Sequence, residues 1–286
     1  IRCLQALDVK IEPNGDQLRV TGPMDFGPST RHLNAFMSGA STRLLIGLAA
    51  LRQGATHIDG HSSLRARTNQ ALFDVLRDNG CQVSSPDGGL PAIIQGPIQV
   101  GAELTIDGSL SSQYVTALLV IAPILAASAG LTVNLKGHLT SRPYVDITRN
   151  EMAKRSVSAD WQGPNALYVR KDSYQPGNYR VEGDATAASY FLALATLHHG
   201  RVCLTNLDAT THQGDYGFCG VMEQLGAQVA REGATVIQGP AKLRRLEQID
   251  MVAMPDAALT LIAMAPLLPA PLEITGLHTL PHKECN

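Results

Sequence analysis

The sequence predicts a mixed α/β fold assembled from copies of one unit about 70 residues long, and three observations carry that expectation. Apolar helices open at Ser41, Ser111, Ala185 and Asp256, so successive starts are 70, 74 and 71 residues apart. After each helix a Gly or Pro break leads into a strand-like run: Thr56–Asp59, Leu131–Leu135, Val202–Thr205 and Leu272–Thr275. Each run ends in a polar loop marked by Gly or Asn, namely Gly60-His-Ser-Ser, Gly137-His-Leu-Thr-Ser, Asn206-Leu-Asp and Gly276-Leu-His-Thr. Self-similarity at a fixed period is the mark of a repeat architecture. In the first three copies a second helix then ends in short strands, at Leu76–Val83, Met152–Ala159 and Leu225–Val229.

In chain order, Ile1–Ile11 reads as a helix end followed by strands around Gln17–Gly22, the second half of a unit. In the first full copy, Gly39 permits close backbone approach just before a helix start, and Arg43 falls in the first turn. Ser63–Thr68 carries Arg65 and Arg67, which in an extended loop would point the same way and could fork onto a carboxylate or phosphate. A capped helix and a solvated charged loop are the competing reading of both stretches.

The second copy opens on a turn, Asp107-Gly-Ser109, running into Ser111, Ser112 and Gln113 ahead of the apolar run Val115–Ala127. A Ser at that point caps the helix by accepting an amide hydrogen bond. The same helix end, with unpaired N–H groups and a positive pole, can hold a phosphate or carboxylate. An ordinary capped helix is the better reading of these residues alone; the recurrence of the device in each copy raises the reading as a site. Thr140–Asp146 gathers hydroxyls, a guanidinium, the Tyr144 phenol and a carboxylate beside Pro143, a pocket suited to a polyhydroxylated ring.

Tyr174–Asp184 reads as a turn and extended crossover, with a domain boundary between Val181 and Glu182. The expected domains are therefore 1–181 and 182–286. In the third copy His212–Asp215 is expected to be structural, with Asp215 capping a helix. His198 and His199 before Gly200 read as a helix C-terminus. In the fourth copy Asp256 opens a nearly uncharged helix, where the helix dipole stabilises its anion. Lys283 and Glu284 fall in the polar loop of the same copy, and a Lys with two carboxylates forms a workable acid/base group. The sequence stops where the fourth copy should start its second helix, so both ends are expected to be incomplete.

Composition narrows the function. Hydrophobic content of 44% with 17% charged residues fills sizeable cores and argues against disorder. A net charge of −2 leaves no basic footprint for nucleic acid or for an anionic membrane. The longest apolar run, Val115–Leu125, is too short to span a bilayer, and no signal-peptide pattern opens the sequence. Cys3, Cys81, Cys203, Cys219 and Cys285 are scattered and without a CxxC pair, and are expected to be buried reduced thiols of a cytoplasmic protein. No metal site is expected.

Asp107-Gly-Ser-Leu-Ser-Ser-Gln-Tyr, Ser141-Arg-Pro-Tyr-Val-Asp-Ile-Thr148, Val181–Phe191, Gln213-Gly-Asp215, Pro255–Thr260 and Lys283-Glu284 together resemble the enolpyruvyl transferase family, in the branch that acts on shikimate 3-phosphate. The segments stand in family order across nearly the whole chain. The resemblance implies a two-domain inside-out α/β barrel of repeated units, a monomer that needs no cofactor, and transfer of enolpyruvate from phosphoenolpyruvate to the 5-hydroxyl of shikimate 3-phosphate. Ser111, Ser112, Gln113, Ser141, Tyr144, Asp256, Thr279 and Lys283 would then bind shikimate 3-phosphate. Gly39, Arg67 and Gln113 would face phosphoenolpyruvate. Asp256 would take the 5-hydroxyl proton, Glu284 would handle the proton at the methylene carbon, and Lys283 would offset negative charge.

The sequence departs from the family pattern at several points. The gravest is that the family's early Lys and Ser-x-x-x-Arg motif would lie before Ile1 and its late Arg and Lys beyond Asn286, so this piece by itself is expected to be inactive. Met37 stands where the family has Asn, Thr68 follows Arg67 where it has Pro, and Thr279 replaces an Asn before the Lys-Glu pair. Two other readings therefore stay open at this level. One is the sister reaction on UDP-N-acetylglucosamine, which the missing loop cysteine between Gly60 and Arg67 disfavours. The other is a degenerate, non-catalytic member of the family.

Overall fold

Alternation of apolar residues with period two, broken by Gly and Asn turns, sets the strands of the first compact unit, Ile1–Pro176. A computed structural model describes residues 1–278 and 280–282. In chain order the unit runs α1 (Arg2–Gln5), β1 (Lys10–Asn14), β2 (Gln17–Thr21), β3 (Arg31–Asn34), α2 (Gly39–Ala50), β4 (Thr56–Asp59), α3 (Ser62–Arg65), α4 (Gln70–Asp78), β5 (Gln82–Ser84), β6 (Ala92–Gln95), β7 (Glu103–Asp107), α5 (Ser112–Leu125), β8 (Leu131–Lys136), α6 (Arg142–Ala153), β9 (Ala159–Trp161) and β10 (Ala166–Val169).

After the β1–β2 hairpin the unit contains the same sheet twice. One has the order β3-β4-β6-β5 and the other β7-β8-β10-β9. In each, the first two strands run parallel, joined by a crossover helix, and the remaining pairings are antiparallel. The crossover helices α2 and α5 are apolar nearly all round, as a helix buried between layers must be. Ile46, Ala49 and Ala50 of α2 and Val115, Leu118, Leu119 and Ala122 of α5 are fully buried, against Ile58, Ile94, Val133 and Leu167 from the sheets. The two helices pack closely because Gly47 has no Cβ; one placed there would stand 2.7 Å from the Ala117 carbonyl oxygen. Outside the core a charge network fastens the strand edge. Arg52, wholly buried, donates to Asp25 Oδ2 at 2.9 Å and to the Ser29 carbonyl at 2.7 Å. The Ser29 hydroxyl, the Gly27 amide, Arg31 and Arg52 together hold the Asp25 carboxyl far below the usual range.

The second unit, Gly177–Asn286, is described separately. It runs α7 (Ala185–Leu197), β11 (Arg201–Leu204), α8 (Phe218–Gln224), β12 (Gln228–Ala230), β13 (Thr235–Gln238), β14 (Gln248–Asp250), α9 (Pro255–Met264) and β15 (Glu273–Thr275). One sheet has the antiparallel order β11-β13-β12, and β14 pairs parallel with β15 across α9. Its core joins Leu192, Phe218, Met222, Leu225, Ile237, Met251 and Leu261. Helices α7 and α9 are linked within it by the buried Ser189 and Thr260 hydroxyls, 2.7 Å apart.

The four expected helix starts and four expected strand runs are all present, none shifted by more than two residues. Each helix starts where its cap or Pro allows. The expectation that the cysteines are buried fails at two of them: Cys203 is exposed, because β11 turns that position outward, and Cys3 is only half-buried. Burial pushes the Cys81 and Cys219 thiols up to about 11. Cys285 lies outside the described residues.

Candidate active site

Gly39 begins α2, with Ser38 as its cap; the Ser38 oxygen accepts the Ser41 amide at 3.2 Å. The backbone at Gly39 is approached by two guanidinium groups. A Cβ built there would stand 2.6 Å from Arg43 Nη1 and 2.8 Å from Arg67 Nη1. Arg43 comes from the first turn of α2, as expected, and at 3% exposed it is buried, not the surface Arg of the competing reading. Arg67 comes from the bridge between α3 and α4. Two cations and a helix N-terminus thus put positive charge at one point, which is chemistry for a carboxylate or a phosphate.

The reading of Arg65 and Arg67 as a pair facing one way is corrected. Ser62–Arg65 is helical rather than extended, so the two side chains diverge. Arg65 forks onto Asp59, its Nε 2.8 Å from Oδ1 and its Nη2 2.6 Å from Oδ2. That ion pair turns Arg65 toward β4, while the Arg67 guanidinium lies against Gly39.

The amino end of α5 adjoins this point. Ser111 caps the helix through the Gln113 amide at 3.3 Å, and Ser112 is buried at the first helical position. The Gln113 side-chain oxygen is buried and accepts no hydrogen bond among the described residues. Such an orphan acceptor costs about 1–3 kcal/mol and is expected where a ligand supplies the donor. Next to it, Tyr114 is 1% exposed and donates its phenol hydrogen to the Thr68 carbonyl at 2.7 Å. Burial pushes the Tyr114 phenol up, while the neighbouring Arg43 and Arg67 guanidiniums pull the other way. Neither Tyr114 nor Asn69, 1% exposed with its side-chain oxygen unbonded among the described residues, was signalled by sequence. The change from Pro to Thr after Arg67 is the one hint that this loop needs other support.

Ser141 caps α6 in a left-handed backbone conformation, φ 56° and ψ 50°, with Pro143 next but one. A non-glycine residue there is strained, and strain of that kind gathers at functional sites. Two ties hold its loop against the α5 entry: the Thr140 amide donates to the Gly108 carbonyl at 3.2 Å, and its hydroxyl donates to the Ser109 carbonyl. Arg142 stacks 3.7 Å from the Trp161 ring centroid, and Trp161 Nε1 donates to Asp146 Oδ1 at 2.8 Å. Thr116 of α5 and Thr148 of α6 meet at 2.8 Å, which brings the Ser111–Gln113 and Ser141–Tyr144 ends together.

In the second unit Asp256 stands in the first turn of α9, half-buried, behind Pro255. Thr279, Lys283 and Glu284 lie outside the described residues. Asp215 is not a backbone cap: it accepts the Thr186 hydroxyl, and its neighbour Gln213 caps α7 by accepting the Ala185 amide at 2.8 Å. No group of three or more metal-ligating His, Cys, Asp or Glu side chains occurs among the described residues. Among them, too, no helix is long and apolar enough to cross a membrane.

The family model described as EPSP synthase (3-phosphoshikimate 1-carboxyvinyltransferase) matches residues 1–286. A 3-phosphoshikimate 1-carboxyvinyltransferase of Klebsiella pneumoniae is 35% identical over 273 residues, covering 93% of this chain and 63% of the relative. One from Methanococcoides burtonii is 33% identical over 295 residues, covering 100% of this chain and 68% of the relative. The chain thus spans about two thirds of the length of these curated relatives. Among solved structures, EPSP synthase from Acinetobacter baumannii superposes with a TM-score of 0.72 at 19% identity, over 96% of this chain and 64% of that one, which shows a shared fold.

Proposed function

Because the chain belongs to the EPSP synthase family, we propose that the full-length protein transfers the enolpyruvyl group of phosphoenolpyruvate to the 5-hydroxyl of shikimate 3-phosphate, releasing phosphate. The observation that carries this reading is the convergence of Arg43 and Arg67 on Gly39, beside the orphan acceptor of Gln113. Phosphoenolpyruvate brings a carboxylate and a phosphate to the two guanidiniums. Shikimate 3-phosphate brings a phosphate to the capped entry of α5 and hydroxyls to Gln113, Ser141 and Tyr144.

In this reading the 5-hydroxyl oxygen bonds to C2 of phosphoenolpyruvate while its proton passes to Asp256 and the methylene carbon gains a proton from Glu284. The tetrahedral intermediate then breaks its C2–O bond to phosphate, which departs as hydrogen phosphate with the proton Asp256 had taken, and Glu284 recovers a proton from the methyl group. Lys283 and the guanidiniums stabilise the anionic charge that builds up on the phosphate. No redox change occurs, so the reaction balances without a cofactor. The same reading makes the two units the domains of an inside-out α/β barrel and the protein a cytoplasmic monomer. Support comes from the doubled sheet pattern of the first unit and from the family's solved fold.

The test is phosphate release by the full-length protein with both substrates, compared with UDP-N-acetylglucosamine as acceptor. Saturable release that depends on shikimate 3-phosphate supports the proposal. Release only with the nucleotide sugar, or binding of both anions without turnover, would replace it with the sister reaction or a non-catalytic role.

A further inference from the structure

Arg67 sits in a weak place. It lies on the four-residue bridge between the end of α3 at Arg65 and the start of α4 at Gln70. An Arg side chain carries large rotamer entropy, and a bridge free to move would add backbone entropy to the cost of aiming it. Yet its guanidinium stands against Gly39, so something fixes the bridge from outside.

We infer that Tyr114 is the positioning residue that does so, holding the Thr68 carbonyl and thereby the backbone that aims Arg67 at the anion bound beside Gly39. The contact reaches across 46 residues of sequence, from the first turn of α5 to the peptide after Arg67. At 2.7 Å it matches another outside tie on this bridge, the Asn69 amide to the Gly88 carbonyl, and of the two it is the one that grips the peptide next to Arg67. The Arg43 Nη2 donates to the Thr68 carbonyl at 3.3 Å, and the Asn69 side chain donates to the Arg67 carbonyl at 3.4 Å. Tyr114 is 1% exposed, so water does not compete for the bond. The phenol springs from the residue after Gln113, so the helix end assigned to one substrate also braces the arginine assigned to the other.

This inference rests on the assignment of Arg67 to phosphoenolpyruvate, and the experiment separates the two. In the full-length protein, Tyr114→Phe removes the donor but keeps the ring and its packing. The KM for phosphoenolpyruvate should rise about 3- to 10-fold, the range of one lost hydrogen bond, while kcat and the KM for shikimate 3-phosphate change less than about 2-fold. In an Arg67→Ala background the same substitution should add nothing, since residues acting as a unit are not additive. Thermal unfolding of each variant checks that the fold is kept.

If Arg67→Ala weakens phosphoenolpyruvate binding but Tyr114→Phe does not, or if its effect is fully additive, Tyr114 has no positioning role and the substrate assignment stands. If Arg67→Ala leaves that KM unchanged, the assignment falls and the inference with it. Equal changes in both KM values would mean general loosening of the α5 entry and would also overturn the role given to Tyr114.

Discussion

Helices α2 and α7 occupy the same place in the first and third copies of the repeat, yet their amino ends are finished in opposite ways. At α7 the end is neutralised from within. Asp184 accepts the amides of Thr186 and Ala187, and the Gln213 side chain takes the Ala185 amide while donating to the Gly183 carbonyl at 2.7 Å. At α2 the cap is one exposed serine, and two guanidiniums add to the positive pole instead of cancelling it. A helix end that supplies its own anion is finished within the fold, whereas the proposed function has the cations gathered at α2 receive an anion. The repeat therefore furnishes the device in each copy, and the residues around it decide its use.

The sharpest way to break this contrast is to remove a cation from α2. Arg67→Ala should raise the KM for phosphoenolpyruvate about 100-fold, close to 2.7 kcal/mol, as expected for a charge-assisted fork to an anion. Steady-state kinetics with the second substrate saturating would measure it. A change under about 3-fold would mean that α2 is no more an anion site than α7.

The reverse holds at α7. Gln213→Ala leaves the Ala185 amide and the Gly183 carbonyl without their partner and should cost about 2 kcal/mol of stability, with both KM values unchanged. Denaturant unfolding reads the first expectation and kinetics the second. If the variant instead loses activity at unchanged stability, the α7 end is functional and the contrast fails.

Much of the contrast was legible in sequence, because repeats expose themselves. The helix starts at Ser111 and Ala185 and the strands at Thr56–Asp59 and Leu131–Lys136 follow from caps, β-branched runs and glycine breaks that act over a few residues. What was not legible depends on contacts distant in sequence. Arg65 and Arg67 look equivalent, and only the position of Asp59 on β4 separates them. Arg43 looks like a surface residue until α5 packs on α2 and buries it. Gln213 takes the Ala185 amide while Asp215 takes the Thr186 hydroxyl, because the turn before α8 presents the amide, not the carboxylate, to the Ala185 backbone. Tyr114 could be found only once its phenol was seen on a carbonyl 46 residues away. Local signals fix the elements, and long-range contacts decide what each polar side chain does.

Gly39 offers the smallest and most selective test. It is the first residue of α2, as Ala185 is of α7, so Gly39→Ala gives both helices the same opening residue. At α7 the methyl group is buried beneath the caps. At α2 it would press on Arg43 Nη1 and Arg67 Nη1, the ends of flexible side chains that can move aside at little cost in stability. Moving them is nevertheless what the anion cannot tolerate, because a displaced fork loses its paired geometry. The KM for phosphoenolpyruvate should therefore rise about 10-fold, near 1.4 kcal/mol, with the unfolding temperature almost unchanged. A variant that unfolds early but binds phosphoenolpyruvate normally would show that the missing Cβ serves packing alone, and that the two guanidiniums owe nothing to the space it leaves.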